Sequence, residues 1–335
     1  MRRGRLVLAA LVLSTCGGGS STPRTPAAPS PSSPPPPWTL SGRVLGTLTD
    51  TPVGGAEVEV GSLSAMTNAE GRFTLSQSVA PSAALRAKVT AGGHLTRATS
   101  VGWPRSSPEP RIDLIATTPP FSLSFYKQLV RGELHFPELD RVYRWTEAPR
   151  VSLHPFDDEG HPLAPHVVAK IREVVPKAVA AWSGGLFTNV ALEEVETADE
   201  TEGWIVLHVV RSRSSDNCGS ADFWYYEPGR IVTARIELTL DKCGCGSRRI
   251  TENTISHEIG HAMGFWHVNG RYILNGTGQD PCNSIEKQVI TGTEAFHSRI
   301  AYARPPGNRD PDSDPAAFTL ATDGGVGRRT VTCRW

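Results

Sequence analysis

The sequence predicts an α+β protein: a small all-β sandwich followed by a larger domain in which a mixed, twisted sheet backs a helix that carries paired histidines. Three observations predict it. A chain of 335 residues suits two ordinary domains at roughly 150 residues each. Residues 38–117 alternate apolar and polar between turn signals, the period of half-buried strands. From 118 onward apolar residues recur at helical spacing, interleaved with β-branched runs. The 32 glycines and 27 prolines favour short strands and turns over a helical bundle. Lys and Arg number 34 and Asp and Glu 34, so no net field draws the chain onto nucleic acid, and none is expected as a partner.

The chain opens with Arg2, Arg3 and Arg5, then an unbroken apolar run from Leu6 to Leu13, the pattern of an export signal over 1–16. The run is far short of the roughly 20 residues that span a bilayer. Leu13-Ser14-Thr15-Cys16 resembles a bacterial lipobox, although Thr15 stands where a smaller residue is usual. The resemblance implies that Cys16 becomes the lipidated first residue of an exported, membrane-anchored chain; an ordinary cleaved signal would leave it secreted. Residues 17–37, rich in Pro, Gly and Ser, suit an extended tether. Export places Cys218, Cys243, Cys245, Cys282 and Cys333 where disulfides persist. Five cysteines leave the connectivity open, with at least one free; the pairing favoured joins Cys218 to Cys243 or Cys245, and Cys282 to Cys333. Cys243-Gly244-Cys245 is too close-set for a zinc knuckle.

In the sandwich, strands are expected around Val44 and over 56–60, 72–75 and 84–89, parted by Pro52-Val53-Gly54-Gly55 and Asn68-Ala69-Glu70-Gly71. The pattern Gly42-x-Val44, Pro52-Val53-x-Gly55-Ala56-x-Val58, Thr67-x-x-x-Gly71-x-Phe73-x-Leu75 resembles the carboxypeptidase-regulatory or transthyretin-like domains of exported bacterial proteins. That resemblance implies a non-catalytic module over 38–117, with His94 at the surface or satisfied in the core.

In the second domain, 167–175 and 178–182 fit one helix interrupted by Pro176. Residues 190–195, 204–210 and 230–240 fit strands. Residues 284–303 fit a closing helix whose core face carries Ile285, Val289, Ala295, Phe296 and Ile300, with His297 as a structural histidine. Asp310, Asp312 and Asp314 alternate as in a calcium loop, but Pro315 replaces the glycine an EF-hand needs. Calcium is therefore a second metal to look for, and a solvated turn the plainer expectation.

The chemistry concentrates at 251–267. His257 and His261, four apart, project from one helix face about a turn apart and can share a metal, with Glu258 beside them. Neutral imidazoles make a borderline-soft set that suits zinc, and three protein ligands leave the fourth position to water. His267 completes the set only where the chain leaves the helix after His261. Gly264 is where that turn is easiest, because glycine takes positive φ without strain. HExxH alone also arises by chance; Gly264 and His267 at fixed offsets make chance a poor account.

The run His257-Glu258-x-x-His261-x-x-Gly264-x-x-His267 resembles the signature of the metzincin zinc metalloproteases. The resemblance implies a metzincin-like catalytic domain over 118–335, one catalytic zinc on His257, His261 and His267, and Glu258 as general base. No methionine follows His267, so Leu274 is the Met-turn equivalent; a Leu-for-Met exchange usually costs under about 1.5 kcal/mol. Gly276 stands where some members place a further tyrosine ligand, which leaves three protein ligands.

The expected activity is that of an exported zinc endopeptidase whose protein or peptide substrate lies along an edge strand, placed near 230–240. Activity should fall in acid as the imidazoles protonate. The competing reading is a surface-anchored binding protein with an inert or structural metal site; Glu258 speaks against it, since a structural site needs no base beside its ligands. No cysteine-switch sequence precedes the domain, and 118–163 is the stretch placed to cover the cleft.

Overall fold

The computed structural model describes residues 38–78, 85–101, 109–195, 201–211, 218–240, 250–275, 289–316 and 326–332. The signal with Cys16, the tether, and Cys243, Cys245, Cys282 and Cys333 lie outside them. Cys218 is buried and disulfide-bonded. Among the described residues no helix is long and apolar enough to cross a membrane. The unit from Pro37 to Trp335 is built around two apolar cores.

Seven strands enclose the first core: β1 (Trp38–Gly46), β2 (Glu57–Val60), β3 (Leu63–Met66), β4 (Arg72–Gln77), β5 (Leu85–Thr90), β6 (Arg97–Val101) and β7 (Arg111–Leu114). They form two sheets, β4-β1-β7 and β3-β2-β5-β6. Alternation places Leu40, Val44, Val58, Phe73, Leu75, Val89 and Ile112 between them. Gly71 is required at the β3–β4 turn: its φ is +73°, and a β-carbon there would stand 2.3 Å from the Val44 carbonyl oxygen.

The second core follows with α1 (Leu123–Arg131), β8 (Arg150–Asp157), α2 (Pro165–Trp182), β9 (Leu192–Glu194), β10 (Trp204–Val210), β11 (Gly219–Tyr226), β12 (Arg230–Thr239), α3 (Glu252–Ala262), α4 (Gly292–Tyr302) and β13 (Gly327–Thr332). One six-stranded sheet runs β13-β11-β12-β10-β8-β9, with β12, β10, β8 and β9 parallel and β11 antiparallel to both its neighbours. α3 packs against β11, β12 and α2, where Trp182 donates to the Ser256 carbonyl at 2.9 Å.

Three expectations are corrected. Among the described residues strands hold 37% and helices 21%, in three sheets; the described part is mostly β, and the α+β, metzincin-like fold class does not hold. The sequence reading undercounted strands because β8, β11 and β13 carry Pro155, charged residues and tight turns in place of clean apolar runs. Second, 230–240 is not an edge: β12 lies between β11 and β10. Its near-continuous burial is the mark of an interior strand covered on both faces. Third, α2 runs through Pro176 without interruption, since the apolar face of Val167, Ile171, Val174, Val175, Ala178 and Trp182 buries against the core and offsets one missing hydrogen bond. Among the described residues the closing helix is Gly292–Tyr302, started by the Thr291 cap, and 284–288 lie outside them.

A buried polar network joins the sandwich to the larger sheet. The Arg304 guanidinium, fully buried, donates to both Asp312 oxygens at 2.7 and 2.8 Å, to Thr47 at 2.9 Å and to Asp113. Arg97 joins Asp113 at 2.7 Å and Asp314 at 2.9 Å, and Asn308 donates to Asp312 and Asp314 at 2.8 and 2.7 Å. Although burial opposes it, the Arg304 and Arg97 charges hold the Asp113 carboxyl down at about 2. Of the three carboxylates read as a calcium loop, Asp312 and Asp314 are thus committed to guanidinium and amide donors while Asp310 pairs with Lys127 at 3.8 Å, and no metal-type cluster includes them among the described residues.

Arg304→Met strands buried carboxylates, so it should cost about 3–5 kcal/mol and lower the melting temperature measured by circular dichroism.

Candidate metal centre

α3 begins where the Thr251 hydroxyl accepts the Thr254 N–H at 3.0 Å, with Glu252 in the positive first turn. It stops at Met263 because Gly264 turns the chain at φ +97°, where a β-carbon would stand 2.3 Å from the Tyr143 carbonyl oxygen. Side chains satisfy the carbonyls left at its end: Trp145 donates to Ala262 at 2.9 Å and the Tyr302 hydroxyl to Met263 at 3.1 Å. After the turn the chain is held to α1 and the loop beyond it. The Trp266 N–H donates to the Leu129 carbonyl at 2.8 Å, the Asn269 N–H to Gln128 at 2.9 Å, and the His267 N–H to His135 Nε2 at 3.3 Å.

These constraints bring His257, His261 and His267 together. Their Nε2 atoms lie 3.0 Å (His257 to His261), 3.1 Å (His261 to His267) and 3.2 Å (His257 to His267) apart. The His257 Nδ1–H donates to the Ile273 carbonyl at 2.6 Å and the His261 Nδ1–H to the Phe265 carbonyl at 2.8 Å. A carbonyl only accepts, so these bonds place the protons of the His257 and His261 rings on Nδ1 and leave their Nε2 lone pairs facing the point where the three Nε2 atoms meet. Tetrahedral zinc with bonds of about 2.0–2.1 Å sets its nitrogens about 3.3–3.4 Å apart, within a few tenths of an ångström of this spacing. The three histidines have the geometry to hold a metal ion.

All three rings are buried. Desolvation pushes His257 down to about 4 and His267 to about 2, and holds His261 well below its ordinary value; for His261 and His267 the neighbouring imidazoles add to the effect. The rings are therefore neutral at pH 7, as metal ligands must be. Glu258 is buried beside them and lies against β11: a β-carbon on Gly219 would stand 2.5 Å from Glu258 Oε1 and 2.8 Å from its Cγ and Cδ. Leu274 is buried against α3, its Cδ1 3.2 Å from where a β-carbon on Gly260 would sit, next to the Ile273 carbonyl that orients His257.

Sequence reasoning missed three residues that build this site. Glu294 is buried with its carboxyl held up by desolvation; Oε1 accepts the Leu274 N–H at 2.8 Å while Oε2 closes the Thr291 capping box. The signal was legible as Thr291-x-x-Glu294, but its second oxygen acts across the fold. Gly219 leaves room for Glu258, and His135 holds the His267 backbone; neither has a local signal. His297, expected to be structural, accepts the Ser122 N–H at 2.9 Å between Phe121 and Phe125. His94 bonds the Gly92 carbonyl at 2.9 Å.

No known protein family matches the chain, and no curated protein does. Among solved structures it is similar to two interface mutants of the type II cohesin–X-dockerin complex from Acetivibrio cellulolyticus. The N-terminal interface mutant is 26% identical, over 23% of this chain and 57% of that one, at a TM-score of 0.18. The C-terminal interface mutant is 24% identical, over 23% and 51%, at 0.16. This chain thus spans little more than half of either.

Two outcomes follow. Because the buried imidazoles stay neutral in the folded state while the unfolded chain protonates them near 6.5, unfolding takes up protons below that value. Stability of the metal-free protein should accordingly be full above pH 6.5 and fall as the pH drops toward 4, read from melting temperatures in chelator. Gly264→Ala should strain the turn by about 1–3 kcal/mol and weaken metal binding in a competition titration, by moving His267.

Proposed function

We propose that the protein is a zinc-dependent endopeptidase, exported and anchored through Cys16. The observation that carries this reading is Glu258: a buried carboxylate next in sequence to a metal ligand and set into a gap left by Gly219, beside three ring nitrogens that converge on one point. The signature shared with metzincin proteases supports it at the motif. Zinc held there would supply Lewis acidity, polarising the scissile carbonyl and making water easier to deprotonate. Glu258 takes that water proton and delivers it to the departing amine, base becoming acid in one turnover. The low-dielectric surroundings strengthen each of these interactions. Gly219 keeps the carboxylate in place from the β11 side. The Leu274 loop, fixed by Glu294, and the Gly264 turn hold the imidazoles so that little reorganisation is required during the reaction.

The test compares wild type with Glu258→Ala. Both should retain about one zinc per chain by metal analysis, since Glu258 is no ligand. Peptide hydrolysis should fall at least 100-fold in the variant, the range a general base supplies. A variant as active as wild type rules the mechanism out, and equal inactivity of both forms on unfolded protein substrates, persisting when Arg329→Glu is added to each to displace β13, favours a binding role.

A further inference from the structure

β13 pairs with the strand whose first residue touches Glu258. Gly219, at the head of β11, touches the Glu258 side chain, so β11 starts at the glutamate and runs away from it toward Tyr226. One flank of β11 is taken by β12. The other, which strand addition would use, is taken by β13, antiparallel, from Ser220 opposite Thr332 to Tyr225 opposite Gly327. The C-terminal end of β13 thus comes within one register step of the residue that touches Glu258. The three histidines and Glu258 are at most 6% exposed, so an incoming chain reaches them only after something leaves.

The side chains of β13 are held as a specific ligand is held. Arg329 lies over the rings of Phe136, Tyr143 and Tyr225, with centroids 5.1, 5.7 and 5.9 Å from its guanidinium carbon. It donates to Asp140 Oδ2 at 2.8 Å and to the Tyr143 hydroxyl at 3.1 Å. Three aromatic faces and a carboxylate that is 10% exposed make a receptor for a planar cation. On the opposite face Arg328 pairs with Asp222 at 2.7 Å and stacks on Trp224. Val331, one place nearer the glutamate on the Arg329 face, is 2% exposed. Phe136 directly follows His135, which holds the His267 backbone, so the arginine pocket adjoins the metal centre.

We infer that β13 is a pseudosubstrate: it occupies the β11 edge that a substrate would use, and once it is displaced the same edge binds extended peptides with an arginine in the pocket of Phe136, Tyr143, Tyr225 and Asp140. This rests on the endopeptidase reading for what happens to the peptide next, but the binding claim stands apart from turnover.

The experiment uses the full, zinc-loaded chain and two labelled peptides, one with the sequence of residues 326–332 and a twin with alanine for both arginines, titrated by fluorescence anisotropy. Arg329→Glu sets like charges against Asp140 and releases β13. Arg328→Glu does the same against Asp222 from the exposed face, and serves where the first variant folds poorly by circular dichroism. The released chains should bind the arginine peptide at least tenfold more tightly than does wild type, and at least tenfold more tightly than they bind the alanine twin. Equal binding by wild type and both variants, or no preference for arginine, overturns the proposal. Hydrolysis of the arginine peptide is followed in parallel: binding without cleavage in any form counts against the endopeptidase reading and leaves the pseudosubstrate standing, whereas cleavage by wild type at the released chain's rate sinks the latter alone.

Discussion

Three imidazoles are buried with their Nε2 atoms 3.0 to 3.2 Å apart, and contacts drawn from across the larger domain keep them there. Left to themselves the rings would rotate apart or protonate. Burial disfavours the charged ring and holds His257 and His267 below their ordinary value. Rotation is blocked because the Ile273 and Phe265 carbonyls hold two of the rings by Nδ1. Each of those carbonyls must in turn be immobile. The Phe265 carbonyl is set by the Gly264 turn, and the Ile273 carbonyl by a loop that Glu294 grips through the Leu274 N–H. Second partners of this kind tune a metal site as strongly as the ligands do.

The part of the site legible in the sequence is the part that is local. Helical geometry makes His257 and His261 neighbours whatever surrounds them, and Gly264 marks the place where the chain most easily bends His267 back. Glu258 was legible by adjacency. What was not legible is everything that reaches the site across the fold. Gly219 matters because a strand passes within van der Waals reach of the glutamate, which no spacing in the sequence encodes. His135 lies 132 residues before the N–H it accepts. The edge strand was misplaced for an instructive reason: 230–240 is the richest β-branched run in the domain, and such runs belong to strands covered on both faces, whereas edges are shorter and more polar. Four of the seven sandwich strands, β1, β2, β4 and β5, were legible because they alternate, whereas β3, β6 and β7 were not expected. The fold class was misjudged because helices announce themselves by long periodic stretches, while six-residue strands with arginines and prolines do not.

The two cores are not independent bodies on a tether. Arg304 and Arg97 reach from one to the other through Asp113, Asp312 and Asp314, and every carboxylate in that network is paired. Buried ion pairs of this kind contribute little net stability, because desolvation cancels most of the attraction, but breaking one partner is costly. Their effect is to fix one docking geometry between the sandwich and the sheet. The same segment, 304–314, follows α4, whose Glu294 holds the Leu274 loop, so the clasp and the metal centre share a helix.

The stretch from α1 to Trp145 links the centre to the edge of the sheet. Leu129 and Gln128 hold the backbone on either side of His267, His135 holds His267 itself, Tyr143 forms the wall against Gly264, and Trp145 caps α3. Within the same stretch, Phe136, Asp140 and Tyr143 grip Arg329 of β13. Phe136 also stands edge-on to Trp266, with ring centroids 4.9 Å apart. A side chain in the Arg329 pocket therefore lies over Phe136, whose ring stands against Trp266 beside the third imidazole. Occupancy of the β11 edge and the position of His267 are then expected to bias one another. The linkage is reciprocal: whatever binding the strand does to the affinity of the centre, filling the centre must do to the strand.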